Sequence, residues 1–224
     1  MPPTGAVLRD RYTDAAERLA TRLLESLNGT ARPVVTTAHP TDTPELAALR
    51  LLGPDLFAPQ LLAGTAPDRR TAAALASALT VFPPAADPLT TAWLDHVCGL
   101  LAGHPVPQPD RTPDPHSWQH WSAQLALLAP LALPGLDGPV HRAVRREPLA
   151  LARGTVRAVL RGDHRTALRL LRWSAWLVRL DPAAWPATLE LPPLLDRLRL
   201  TGDGSRRSEL QLTIVTHLLS GRRS

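Results

Sequence analysis

The chain has 224 residues, of which 44% are hydrophobic and 20% charged, with a formal net charge of +5 at neutral pH. One cysteine excludes an internal disulfide framework, and the absence of an apolar run of about 18 residues excludes a transmembrane helix. The N-terminal residues lack the apolar core of a signal peptide, so we expect a soluble cytoplasmic protein that does not bind membranes.

The positive charge alone favours an acidic partner. All 25 basic residues are arginine, however, because the chain contains no lysine. This composition is typical of a GC-rich coding sequence, which reduces the weight of the charge as a sign of nucleic-acid binding. Together with the absence of any familiar motif, it favours a role in bacterial secondary metabolism.

Apolar residues recur at helical spacing along nearly the whole chain, and Asp-Pro or Thr-Pro starts and Gly stops mark the ends of segments. The predicted helices cover residues 5–27, 43–53, 55–64, 68–81, 87–103, 114–130, 138–147, 149–161, 163–180 and 208–219, with an irregular and then helical segment at 183–200. Residues 32–40 are the only β-branched run and are predicted to be an extended connector. The sequence therefore predicts an all-α fold, a single globular domain of about eight to ten antiparallel helices with no sheet. The Pro-rich loop 103–115 is the one candidate boundary, as a lid or a tether.

The most informative stretch is residues 149–180, which is predicted to form two helices joined only by Gly162-Asp163. Two stripes of mostly basic residues follow these helices: Arg153, Arg157 and Arg161 on the first, and Arg165, Arg169, Arg172, Trp176 and Arg179 on the second. The arginines from 153 to 172 have no acidic residue one helical turn away to neutralise them. Because so short a turn makes the helices antiparallel, we expect both stripes to border one groove.

Guanidinium groups are suited to phosphate, sulfate or carboxylate. The predicted substrate-binding residues of this groove are Arg157, Arg161, Arg165, Arg169, Arg172 and Trp176. The alternative is a solvated helix face, or arginines paired with Asp181, Glu190 or Asp196 from elsewhere in the fold.

Two histidines are candidates for moving a proton beside such a groove. His164 follows the turn between the two helices, and His120 lies on the helix predicted from residue 114. His116 and His120 have the i, i+4 spacing that can share a metal, but Ser117 stands where the helical zinc-protease pattern has glutamate. No metal and no cofactor are predicted.

The sequence lacks a phosphate-binding glycine loop, a dinucleotide fingerprint, a Gly-x-Ser-x-Gly elbow and a kinase motif set, and it has no helix-turn-helix with a basic second helix at the N-terminus. Sequence-specific nucleic-acid binding is therefore not expected. Three functions remain: binding of an anionic small molecule in the arginine groove, a lyase or transferase acting on such a group, and an accessory subunit that docks a partner protein through a Trp/Arg surface. The first two predict an enclosed pocket that contains several of the named arginines, and the third predicts a flat apolar patch rimmed by arginine. A homo-oligomer is compatible with each.

Overall fold

The computed structural model describes residues 5–30 and 33–221, with side chains from residue 9 onward. Every regular element in these ranges is a helix, which confirms the predicted all-α class. Residues 33–42 form neither helix nor strand, as expected for a connector, whereas Arg32 lies outside the described residues. Within the described ranges, no helix is both long and apolar enough to span a bilayer.

The chain forms two compact units, Met1–Gln108 and Pro109–Ser224. The first contains helices α1 (Gly5–Leu27), α2 (Thr43–Leu52), α3 (Ala58–Ala63), α4 (Arg69–Val81) and α5 (Leu89–Ala102). The second contains α6 (Trp118–Leu127), α7 (Pro139–Arg146), α8 (Pro148–Leu160), α9 (His164–Leu180), α10 (Leu191–Leu200) and α11 (Arg206–Ser220). The division lies inside the Pro-rich segment 103–115, where the sequence has its candidate boundary.

In the first unit, α1 packs on α2, α2 on α4, and α4 on α5. A buried ion pair ties this layer together: the guanidinium of Arg50 on α2 contacts the carboxylate of Asp95 on α5, whose side chain is 0% exposed. Asp95 also accepts a hydrogen bond from the amide of Ala85 at 2.9 Å, and Arg50 Nε donates to the carbonyl of Phe82 at 3.3 Å. The pair thereby fixes the loop between α4 and α5 against both α2 and α5.

In the second unit, α9 is the central helix and contacts α6, α7, α8, α10 and α11. Eleven of its seventeen residues are buried, so it is covered on most of its circumference. The turn that joins it to α8 forms as predicted: Gly162 has φ +69°, and the side chain of Asp163 accepts a hydrogen bond from the amide of Thr166 at 3.1 Å.

Helix α8 also packs on α6, and Gly154 permits their close approach. A Cβ atom at this position would lie 2.5 Å from the Cβ of Ser122 on α6. Any larger residue would therefore push α6 and α8 apart. It would also separate the side chains of the two helices that meet at the surface.

Two predicted helix starts are wrong by a few residues. The helix expected from residue 114 begins at Trp118, because the Asp114 side chain accepts a hydrogen bond from the His116 amide at 3.0 Å and holds the chain in a turn. The cap of the last helix is Ser205 rather than Ser208, since the Ser205 side chain accepts a hydrogen bond from the Ser208 amide.

Candidate functional site

The arginine stripe of α9 does not form a surface groove. Arg172 is fully buried. Its Nε and Nη2 donate to the carbonyls of Ala132 and Pro130 at 3.2 Å each, and its Nη1 donates to Oε1 of Gln211 at 2.9 Å. Arg172 therefore does not line a surface groove as expected, because α9 is the central helix and this guanidinium joins core segments.

Trp176 is also a core residue, with 4% of its surface exposed. Its ring lies 5.1 Å from the ring of His141 and 5.6 Å from that of Trp173, measured between centroids, and the guanidinium of Arg145 lies 5.7 Å from its centroid. Burial lowers the pKa of His141, and its Nε2 lies 2.9 Å from the carbonyl oxygen of Leu131. Trp176 therefore does not line the predicted groove, because neighbouring side chains already cover the ring.

His164 and Arg165 lie at a separate, small pocket of about 280 Å³ between the start of α9, the end of α10 and α11. Nδ1 of His164 lies 3.1 Å from Oγ1 of Thr201, and Arg165 lies 3.6 Å from the carboxylate of Asp203. Hydrogen bonds from Ser208 and Ser205 hold the pKa of Asp203 well below its usual range, so this carboxylate stays ionised. Arg165 is therefore paired, and its pocket does not contain the arginines of α8.

The other two predicted site residues on α9 and α6 lie elsewhere. Arg169 is half-buried on α9 and lines neither the His164 pocket nor the groove described next. His120 is exposed on α6 and is also absent from both linings. Because His164 and Arg165 line one pocket and the arginines of α8 line another, the two arginine stripes do not border one groove as expected.

The arginine row of α8 does line a groove, of about 700 Å³, on the surface of the second unit. Most of the lining comes from α8 and from Arg161, which caps its C-terminal end, and the remainder comes from Trp118 on α6 and from the segment between α9 and α10. We call this the α8 groove, and its lining residues are Trp118, Leu149, Ala152, Arg153, Val156, Arg157, Leu160, Arg161, Pro186, Thr188 and Leu189.

The apolar part of the α8 groove is exposed at its two ends. Leu149 near one end of the helix is 54% exposed and Leu160 near the other end is 81% exposed. Ala152 and Val156 lie between them, so that the four residues follow one face of α8 at helical spacing. Ala152 is buried and Val156 half-buried, so the exposed apolar surface lies at the two leucines, and exposed leucines bordered by charge are typical of an interaction surface.

The charged part consists of Arg153, Arg157 and Arg161, which form no ion pair with any residue that the structure describes. Two carboxylates that the sequence offered as partners are engaged elsewhere: Asp196 contacts Arg199 at 3.0 Å, and Asp181 accepts a hydrogen bond from the amide of Ala183. The three guanidinium groups therefore carry their full charge into the groove.

Arg157 differs from the other two because it is held in place. Its guanidinium lies 5.4 Å from the ring centroid of Trp118, and it is half-buried, whereas Arg153 and Arg161 are exposed. This contact with the indole face restricts the Arg157 side chain.

The predicted residues Arg157 and Arg161 thus lie together in one groove, with Arg153 from the same row. Trp118 had no signal in the sequence as a partner of α8, since the contact depends on the approach of α6 at Gly154. Arg153 had the same i, i+4 signal as the two predicted arginines.

The histidine pair considered for a metal is not arranged on one helix. His116 lies in the turn before α6, where its Nδ1 contacts the carboxylate of Asp114 at 2.5 Å, and this hydrogen bond raises the pKa of His116. In the part of the chain that the structure describes, no three or more His, Cys, Asp or Glu side chains are grouped to hold a metal ion.

Comparison with family models, with curated proteins and with solved structures finds nothing that matches this chain. The α8 groove is therefore the feature from which a function is inferred.

Proposed function

We propose that this protein is a non-catalytic accessory protein that docks an acidic, amphipathic helix of a partner protein in the α8 groove. The observation that carries this proposal is the row of three arginines without ion pairs among the described residues, beside two leucines, Leu149 and Leu160, that the fold leaves exposed. Tryptophan and arginine at the border of an apolar surface are also the residues that contribute most at protein interfaces.

The dimensions of the row favour a helix as the occupant. Arg153 and Arg161 are eight residues apart on α8, which corresponds to about 12 Å along the helix axis. A partner helix with carboxylates at i, i+4 and i+8 repeats the same spacing and can pair each guanidinium in turn. Its apolar face would cover Ala152, Val156 and the two exposed leucines, as in other helix-in-groove interfaces.

The same row argues against a single small anion. A tight site for sulfate or phosphate needs several donors that converge on one point, whereas these arginines are spread along the helix. Proton-transfer chemistry also lacks support at the groove, since neither His120 nor His164 is among its lining residues. A second copy bound face to face would bring two rows of arginine together, which is unfavourable.

The proposal is tested with a synthetic helical peptide of about 15 residues that carries Glu at i, i+4 and i+8 and Leu on the adjoining face. We expect saturable binding by isothermal titration calorimetry that weakens as salt is raised. The double variant Arg153→Glu/Arg161→Glu should bind about tenfold or more weakly, because two ion pairs of up to about 1 kcal/mol each become repulsions.

The matched control is Arg142→Glu/Arg146→Glu on α7, where both arginines are exposed and the change in net charge is the same. Its affinity should stay within about twofold of the wild type, since these positions lie outside the groove. Equal losses in the two double variants would reduce the effect to net charge and contradict the proposal. A different outcome would assign the groove to an anionic small molecule instead. In that case the wild type binds inorganic sulfate or phosphate but not the peptide, and only the α8 variant loses this anion binding.

A further inference from the structure

We propose that the α8 groove continues into a second, apolar subsite that takes a leucine or aromatic side chain flanking the acidic stretch of the partner. This inference rests on the proposed function and names a second determinant of specificity. The subsite is a pocket of about 390 Å³ beside the segment between α9 and α10. We call it the Trp185 pocket, and its lining includes Val178, Ala183, Trp185, Ala187, Glu190 and Leu219.

The pocket and the groove are contiguous. Pro186 and Leu189 line both of them, so a chain that leaves the α8 groove across these two residues reaches the Trp185 pocket directly. The partner helix and a flanking side chain can therefore be held at the same time. Two linked contacts strengthen binding because, once the helix is bound, the flanking side chain is already held close to its pocket.

The walls of the pocket are fixed before anything binds. Trp185 is 8% exposed, and its Nε1 donates a hydrogen bond to the carbonyl of Leu189 at 2.8 Å, which sets the orientation of the indole. Pro182, Pro186 and Pro192 also belong to the lining, and proline restricts the backbone on either side of the ring. A preformed apolar pocket accepts a side chain without first ordering its own residues.

The charge of the lining changes at the boundary between the two sites. The α8 groove has three arginines, whereas the only charged residue among those lining the Trp185 pocket is Glu190. An acidic side chain is attracted to the groove but repelled at the pocket edge, and an apolar side chain gains from burial there. The chemistry that fits both sites is an acidic amphipathic helix with one large apolar residue beyond its end.

The test compares the acidic peptide described above with two longer versions that carry a flanking Leu at one end or the other. We expect one of these to bind wild-type protein about tenfold more tightly, as full burial of a leucine side chain implies. Ala187→Glu, at an exposed position on the pocket side, should abolish this gain, and it should weaken the shorter peptide no more than a glutamate placed at the adjacent residue 188 does.

Thr188→Glu is the matched control, because this adjacent exposed residue lines the α8 groove rather than the pocket. It should weaken the shorter and longer peptides by the same factor. If the flanking leucine adds nothing at either end, or if its gain survives in Ala187→Glu, the inference is overturned while the proposed function stands.

The pocket is also tested without the peptides. In methyl NMR, N-acetyl-leucinamide at millimolar concentration should shift the resonances of Val178 and Leu219, and N-acetyl-aspartamide should not. These shifts, combined with failure of every acidic peptide to bind, would support the apolar subsite and overturn the proposed function. Absence of the shifts together with absence of peptide binding would overturn both.

Discussion

Replacing Asp95 with asparagine is expected to lower the free energy of unfolding of the first unit by about 3 kcal/mol. The substitution keeps the size of the side chain but removes the charge that faces Arg50, whose own side chain is only 18% exposed. A largely buried guanidinium then remains without its carboxylate. Removing one partner of a buried ion pair destabilises a protein strongly because the remaining charge is left uncompensated. The hydrogen bond from the Ala85 amide also becomes weaker, because its acceptor is no longer charged.

Urea unfolding of protein labelled with 5-fluorotryptophan measures this loss in the unit concerned. Trp93 is the only tryptophan in Met1–Gln108, so its fluorine resonance reports on the first unit alone. Asp14→Asn, at an exposed position on α1, is the control and should change stability by no more than about 0.5 kcal/mol. Similar midpoints for the Asp95 and Asp14 variants would show that the Arg50–Asp95 pair does not stabilise the unit.

Replacing Arg172 with methionine is expected to destabilise the second unit by about 3 kcal/mol. The variant loses three hydrogen bonds from a charged donor, and it leaves the carbonyls of Pro130 and Ala132 and the amide oxygen of Gln211 without this partner. Each buried acceptor that loses its donor costs about 1–3 kcal/mol, partly offset by the apolar packing of the methionine.

The fluorine resonance of Trp173, which neighbours Arg172 in the core of the second unit, follows this unfolding. Arg165→Met is the matched control on the same helix. Its pair with Asp203 is exposed, so the cost should not exceed about 1 kcal/mol. Equal stability of the two variants would contradict a structural role for Arg172 and return it to the set of candidate ligand-binding residues.

The elements that were predictable from the sequence depend on contacts between near neighbours. The turn between α8 and α9 was predicted from two adjacent residues, a glycine that can adopt a positive φ (Gly162) and a helix-capping aspartate (Asp163), and the chain folds there as expected. The start of α6 was misplaced because Asp114-Pro115 is equally compatible with a helix cap and with the turn that Asp114 forms with the His116 amide. Which of the two forms, the cap or the turn, depends on the contacts that the rest of the fold makes with this segment.

The candidate site was predictable in part for the same reason. The row containing Arg157 and Arg161 on α8 is local, and its lack of acidic neighbours one turn away is visible in the sequence. The row on α9 has the same local pattern, yet Arg172 is buried because three distant acceptors reach it from residues 130, 132 and 211. Spacing along one helix cannot distinguish an arginine that faces solvent from one that distant segments of the chain cover.

Trp118 offers the most direct measurement of docking in the α8 groove, because its ring lies under the guanidinium of Arg157. In protein labelled with 5-fluorotryptophan, titration with the acidic helical peptide should shift the Trp118 resonance saturably, with the same dissociation constant as calorimetry. The resonances of Trp93 and of the buried Trp173 should stay in place, and raised salt should reverse the Trp118 shift. A peptide that binds without moving the Trp118 resonance, or that moves Trp93 instead, would contradict the assignment of the α8 groove as the docking site.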